Sequence, residues 1–194
     1  MSKKAMSHVH IRVALLLICL LITVDVSAEN MSDGRKQFLD IAALEHANFP
    51  KNSVKKRYFV SVSNLHREFA KNKYRIELEQ RDYNIVLAKD GDNYQTISGL
   101  VTVEIPYKET SMLLAVILSD ELRVQRVAVV SVDKKYVDDF KSSIGVGVIK
   151  RYTMTSLRQL KYLASEIKKQ GALSELVSAE IAMMAATLAS EMRK

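Results

Sequence analysis

The chain has 194 residues, of which 48% are hydrophobic and 26% are charged, a balance typical of one globular domain with its own core. Its formal net charge is +7, and the basic residues are spread along the chain, which favours acidic partners without identifying one. The single cysteine, Cys19, excludes a disulfide framework and any site that needs several thiolate ligands.

Residues 1–28 have the three parts of a secretory signal peptide. A basic start is followed by an apolar run over Val13–Val24 and by a small-residue cleavage site, Val26-Ser27-Ala28. The run is shorter than the roughly 20 residues that span a bilayer, which favours cleavage near Ala28 over retention as an anchor. We therefore predict an exported protein of the periplasm or cell envelope, with residues 29–194 as a single domain. Nucleic acid is not expected as a partner in that compartment.

The first element of the predicted domain is a helix that begins after Ser32, a residue type that caps helix N-termini. It should stop before Phe49-Pro50, because proline disfavours helical geometry in the residue that precedes it. The apolar residues on or near one face of this helix are Phe38, Ile41, Ala42 and Leu44.

A strand and a short helix are predicted next. The strand covers Tyr58–Val62, and the helix is capped by Ser63 or Asn64 and runs to about Tyr74. Tyr83–Ala88 is then predicted as a second strand.

Three consecutive strands are predicted in the middle of the chain. Thr96–Ile105 alternates apolar and polar residues, Leu113–Leu118 is an unbroken apolar run, and Val124–Val132 is rich in β-branched residues. The strong turn at Asp90–Asn93 joins them to the preceding strand, and the other connections are short. The fold class expected is therefore α+β, with a central antiparallel sheet of about five strands flanked by helices.

The C-terminal part is predicted to be mainly helical. Tyr136–Phe140 reads as a short amphipathic turn or helix, and Ile144–Ile149 as a flexible or extended segment. Its Gly145-Val146-Gly147 lacks the third glycine of a dinucleotide-binding loop. The last two predicted helices run from Thr155 or Ser156 to Gly171, and from about Ser174 to Arg193.

Catalytic signatures are missing from the sequence. The histidines beyond the signal peptide are His46 and His66, and neither has a carboxylate or a second histidine at ligand spacing. No nucleophile elbow, zinc-protease helix or phosphate-binding loop is present. The acidic pair Asp138-Asp139 is typical of surface charge. We therefore expect neither an enzyme nor a metal site.

Several short segments, in their order, are similar to a known family. These are Ala47-Asn48-Phe49-Pro50 ahead of Lys55-Lys56-Arg57, Lys108-Glu109-Thr110 before an apolar strand, and Ser119-Asp120 before Val124–Val129. In this order the chain resembles the FMN-binding-domain family, the relatives of the G subunit of the Rnf electron-transport complex and the C subunit of the sodium-translocating quinone reductase. The resemblance implies an FMN-binding-domain-like fold across nearly all of the exported chain.

That family attaches FMN through a Ser-Gly-Ala-Thr-x-Thr/Ser motif near the C-terminus, whose last hydroxyl forms a phosphoester. Two registers of the motif are open here. One keeps Ser178 but places Met183 at the acceptor position, and the other keeps Thr187 but places Ala189 there. In the first register Glu180 also brings a carboxylate to the phosphate, which opposes binding. The resemblance thus implies Ser178 or Thr187 as cofactor-binding residues, with any FMN held non-covalently.

Three functions follow from the resemblance as expectations. The first is a degenerate member that has lost flavin attachment and serves as a non-catalytic accessory or interaction module of an envelope electron-transfer system. Its partners would be redox or membrane proteins of the envelope. The alternatives are an electron-transfer flavoprotein that holds FMN without a covalent link, and a binder of another small anionic ligand.

Overall fold

A computed structural model describes residues 34–143, 145–167 and 171–194. The predicted signal peptide, residues 1–28, lies outside these ranges, as does Ser32, and both stay predictions. The described chain combines one sheet with helices, which confirms the predicted α+β class.

Six antiparallel strands form the sheet, in the spatial order β1-β6-β5-β4-β3-β2. From β2 to β6 consecutive strands are neighbours, so the sheet is a meander to which the first strand is added at the far edge. The strands are Arg35–Gln37 (β1), Val54–Ser61 (β2), Asp82–Lys89 (β3), Thr96–Tyr107 (β4), Thr110–Ser119 (β5) and Val124–Asp133 (β6). The predicted central antiparallel sheet is confirmed, with one strand more than the five expected.

The additional strand, β1, corrects the prediction of a helix from Ser32 onward. Residues 35–37 pair with Ser131–Asp133, and the helix begins only at Ile41. Asp40 caps that helix, because its side chain accepts the backbone N–H of Ala42. The predicted end before Phe49-Pro50 agrees with the structure.

Six helices accompany the sheet in the described chain, together with a 3-10 turn at Lys134–Tyr136. The segment Ile144–Ile149 was expected to be flexible or extended, but residues 145–150 are helical. Gly171 is the N-cap of the final helix. The predicted end of the preceding helix at Gly171 stays a prediction, because residues 168–170 lie outside the described ranges. The helices are Ile41–Asn48 (α1), Asn64–Tyr74 (α2), Val137–Ser143 (α3), Gly145–Lys150 (α4), Leu157–Ile167 (α5) and Ala172–Met192 (α6).

The sheet buries side chains on both of its faces. The larger core lies between the sheet and α2, α5 and α6, and includes Tyr83, Leu114 and Ile181. The smaller core lies under α1 and includes Leu44 and Leu100. Burial on both faces explains why Met112–Leu118 in β5 is apolar without interruption.

Helix α6 is buried on nearly all sides. Among the described residues it is the one helix long and apolar enough to cross a bilayer, with a mean hydropathy of 1.4, but 78% of that window is buried within the fold. It packs closely on β4 at Gly99, where an added Cβ would lie 2.8 Å from Leu188 Cδ1. These contacts are those of the core helix of a globular fold.

Candidate functional site: a groove on the edge of the sheet

A groove of about 770 Å³ lies along the outer edge of β6, and we call it the edge groove. The strand contributes residues 126–129, the segment between β1 and α1 contributes two apolar residues, and the remainder comes from α3, α4 and the turn after α4. Its volume falls in the range of typical ligand sites. The described lining residues are Phe38, Leu39, Arg126, Val127, Ala128, Val129, Phe140, Lys141, Ile149, Lys150 and Thr153.

The groove exists because β1 covers only one end of β6. After its three residues, the backbone N–H groups of Phe38 and Leu39 both donate to the Val130 carbonyl, at 2.8 and 3.3 Å. The chain then turns away into α1, so strand pairing on this edge stops at Val130.

The other end of β6 is closed by a different segment. The N–H of Val124 donates to the Thr155 carbonyl at 2.9 Å, and the Met154 N–H donates to the Val124 carbonyl at 2.7 Å. Between the two closed ends, Gln125–Val129 has no backbone partner on its outer side within the part of the chain that the structure describes. A gap of five residues is therefore left in an otherwise occupied edge.

Three cations surround this gap, and all three are exposed. Within the described ranges, Arg126 and Lys150 form no ion pair. Lys141 lies 3.9 Å from Asp138 on the same helix, and 98% of the Asp138 side chain is exposed, so this contact neutralises little charge. The edge groove therefore combines an apolar lining with positive charge that is free to meet an anion.

A buried carboxylate, Glu45, links α1 to β2 on the opposite edge of the sheet. Arg57 holds it with both guanidinium nitrogens, one of them 2.6 Å from Oε2, and Lys55 Nζ lies 3.2 Å from the same oxygen. Burial by itself would raise the pKa of Glu45, but the hydrogen bonds from Arg57 and Lys55 outweigh it and lower the pKa. Glu45 is thus an ionised structural anchor.

A second buried carboxylate, Glu191, lies at the end of a hydrogen-bonded series that resembles a hydrolase triad. Ser63 Oγ is 2.8 Å from His66 Nδ1, and His66 Nε2 is 2.5 Å from Glu191 Oε1. However, the same Nδ1 accepts the backbone N–H of Ser63 at 2.9 Å, and the His66 N–H donates back to Ser63 Oγ at 3.4 Å. This reciprocal arrangement is the capping box of α2, so we assign the series a structural role in joining α2 to α6.

The pKa of Glu191 agrees with this role. Burial acts to raise it, but hydrogen bonds from Lys194, His66 and Tyr58 outweigh burial and lower the pKa. The carboxylate is therefore held in its ionised form by the groups that it joins.

The third buried carboxylate, Glu180, lies in the core on α6. It accepts hydrogen bonds from Arg81 and, at 3.1 Å, from the Tyr83 hydroxyl. Burial raises its pKa, and Arg81 and Tyr83 only partly offset that effect. The side chain of Glu180 is therefore engaged within the fold.

The predicted cofactor residues Ser178 and Thr187 are both buried on α6, and neither lines the edge groove. The Thr187 hydroxyl donates to the Met183 carbonyl at 2.9 Å, one helical turn earlier. Burial raises the pKa of Tyr152, and the neighbouring Ser178 hydroxyl partly offsets the rise. A role for either residue in holding a cofactor stays a prediction from the resemblance.

The edge groove itself was not predicted from the sequence. Phe38 was assigned to a helix face, Ile149 to a flexible or extended segment, and Arg126 fell within a predicted strand. These residues meet only because β1 returns to the edge of β6, and a three-residue strand with exposed side chains gives almost no periodic signal. One sign was available in the sequence, since Arg126 is the one cation in β6 and is followed directly by the apolar run Val127–Val130.

The chain matches no family model, no curated protein and no solved structure. Its similarity to the FMN-binding-domain family therefore stays a prediction from short segments of sequence, and the edge groove must be interpreted from its own geometry.

Proposed function

We propose that this chain is a non-catalytic binding module of the cell envelope, and that the edge groove holds a segment of the protein it binds. The observation that carries the proposal is the groove on β6, in which an apolar lining, free cations and an unpaired strand edge occur together. Interaction sites typically show this combination of an apolar patch with a polar rim.

The use of the buried polar groups supports a binding role over a catalytic one. Within the described residues, Glu45, Glu180 and Glu191 are each engaged by cations or hydroxyls that belong to the fold. None of these carboxylates lines the edge groove. The groups at the groove are instead cations, apolar side chains and the Thr153 hydroxyl, and the described lining has no carboxylate or histidine that could act as a general base.

A second candidate is an electron carrier that holds FMN without a covalent link. What favours it is that Phe38 and Phe140 line the same groove as three cations, a set that suits an aromatic ring bearing a phosphate. Any other small aromatic anion would use the same groups. The absorbance spectrum and intact mass of the purified chain separate this candidate from the first, because bound flavin absorbs visible light and a covalent link adds its mass.

The proposal is tested by photo-crosslinking in intact cells. A photoreactive amino acid replaces Lys141 at the groove, and we expect a covalent adduct with one other polypeptide. In the same chain Thr153→Trp should abolish that adduct, because Thr153 is an exposed lining residue whose enlargement fills the groove without entering the core.

Ser165→Trp is the matched control, since Ser165 is exposed on α5 and does not line the groove. It should leave the adduct unchanged. Absence of any polypeptide adduct at Lys141, or an adduct that survives Thr153→Trp, would show that the groove does not hold a partner.

A further inference from the structure

We infer that the partner segment is an extended acidic peptide, which adds to β6 as a further strand over Gln125–Val129. This inference rests on the proposed function of the edge groove and specifies the chemistry of what enters it.

The unpaired segment between the two closed ends of β6 determines where a strand can be added. Five residues of strand span about 17 Å, at a rise of roughly 3.4 Å per residue. The ends are occupied by other parts of the chain, at Val130 and Val124, so the gap fixes both the position and the length of an added strand. Unpaired N–H and C=O groups of a strand edge are complemented best by another extended backbone.

The apolar lining supplies places for the side chains of such a strand. Side chains of an added strand point alternately to the two faces of the sheet. On one face Phe140 and Ile149 belong to the larger core region, and on the other Leu39 packs on the smaller one. Both sets of side chains would therefore meet apolar neighbours on this chain.

The charges of the groove indicate that the peptide is acidic. The described lining includes Arg126, Lys141 and Lys150 and no acidic residue. Opposite charges across an interface favour association, and like charges discriminate against the wrong partner. The β2 edge of a second copy is disfavoured, because it would bring Lys55, Lys56 and Arg57 against these cations. An extended acidic segment of another protein would pair with the backbone of β6, contact the apolar lining and complement the three cations.

The experiment uses synthetic peptides and the full chain. The probe is a fluorescent pentapeptide of alternating valine and glutamate, which matches the five-residue gap, and binding is followed by fluorescence anisotropy. Two further versions carry N-methyl groups on alternate residues, one on the valines and one on the glutamates. Because only every second amide of an added strand faces β6, one version should lose at least about tenfold in affinity and the other should bind almost as the parent peptide does.

Charge is tested with the same probe. A peptide with lysine in place of glutamate should bind at least about tenfold more weakly. The triple variant Arg126→Gln, Lys141→Gln, Lys150→Gln should lose about tenfold for the acidic peptide, as expected for three exposed ion pairs. The matched control, Lys51→Gln, Lys71→Gln, Lys161→Gln, removes the same charge from exposed positions outside the groove and should bind normally.

Three outcomes would overturn the inference. Equal affinities of the two N-methylated peptides would exclude strand addition, and equal affinities of the acidic and basic peptides would exclude charge recognition. No binding of the acidic peptide, together with a persistent crosslink from Lys141, would exclude this type of ligand while leaving the proposed function in place. Loss of the crosslink itself would instead remove the proposed function.

Discussion

The two edges of the sheet expose backbone in different ways. On one side, β2 pairs only with β3 in the described chain, so the outer side of Val54–Ser61 is open along its whole length. On the other side, β6 is open only over Gln125–Val129 and is occupied at both ends. The longer edge carries Lys55, Lys56 and Arg57 in succession, whereas the shorter one is flanked by apolar side chains.

The cations near the two edges also differ in what they contact. Arg57 and Lys55 are bound to the buried Glu45, whereas Arg126 and Lys150 have no acidic partner among the described residues. Lysine and arginine along an open edge discourage pairing with another chain. We conclude that an open edge is not in itself a binding site. The cations make β2 a protected edge, whereas the unpaired segment of β6 lies in the edge groove, with Val127, Ala128 and Val129 buried.

The largest effect expected from this difference is on stability. Arg57→Ala should lower the free energy of unfolding by about 2 kcal/mol, because it leaves the buried Glu45 with Lys55 as its one remaining cation in the described chain. The matched change Arg126→Ala should stay within about 0.5 kcal/mol of the parent chain, since no ion pair is lost. Urea denaturation of both variants measures the contrast, and equal losses would contradict it.

A smaller effect is expected on the pH dependence of stability. The pKa of Glu45 is lowered in the folded chain, so its contribution is present above its ordinary value of 4.5 and is lost as the pH falls through the lower folded value. Arg57→Ala removes most of that lowering. The difference in unfolding free energy between the parent and Arg57→Ala should therefore shrink between about pH 6 and about pH 3.

Arg126→Ala serves again as the control for the pH measurement, and its stability curve should remain parallel to that of the parent. A difference between parent and Arg57→Ala that is constant across this pH range would show that Glu45 does not titrate with its partner.

The smallest effect on stability is expected at the protected edge, β2. A change there should nevertheless alter self-association. Lys56→Val removes a central cation from β2 and should change the unfolding free energy by less than about 0.5 kcal/mol. It should increase self-association, since Phe59 on the same strand is already 79% exposed. Sedimentation velocity measures this, with Lys51→Val before the strand as the control. An unchanged sedimentation coefficient would mean that charge does not protect this edge.

The sequence predicts the centre of this fold well, because its long segments rich in apolar and β-branched residues form strands that are buried on both faces. The alternation in Thr96–Ile105 and the apolar run Leu113–Leu118 correspond to β4 and β5, and α2 ends at Tyr74 as expected. The predictions that were wrong concern two short segments. Arg35–Gln37 is too short and too exposed to show a strand pattern, and Gly145–Lys150 forms a helix despite two glycines that favour irregular structure.

The candidate site could not be predicted in the same way, because it depends on contacts between distant segments. Phe38 and Arg126 meet only through the return of β1 to the far edge of the sheet. The resemblance to the FMN-binding-domain family instead implied Ser178 and Thr187, which are polar residues on a helix that lies inside the core. Polar residues at spaced positions do not reveal whether they face a ligand or the interior.

Helix α6 has a consequence for the order in which the molecule is completed. It packs on β3, β4 and β5 and on α2 and α5, all of which precede it in the sequence. During synthesis these strands emerge first, and one apolar face of the sheet lacks part of its cover until Ala172–Met192 has followed. A nascent chain with this arrangement can complete its core only late in synthesis. Until then its exposed apolar surface can bind chaperones.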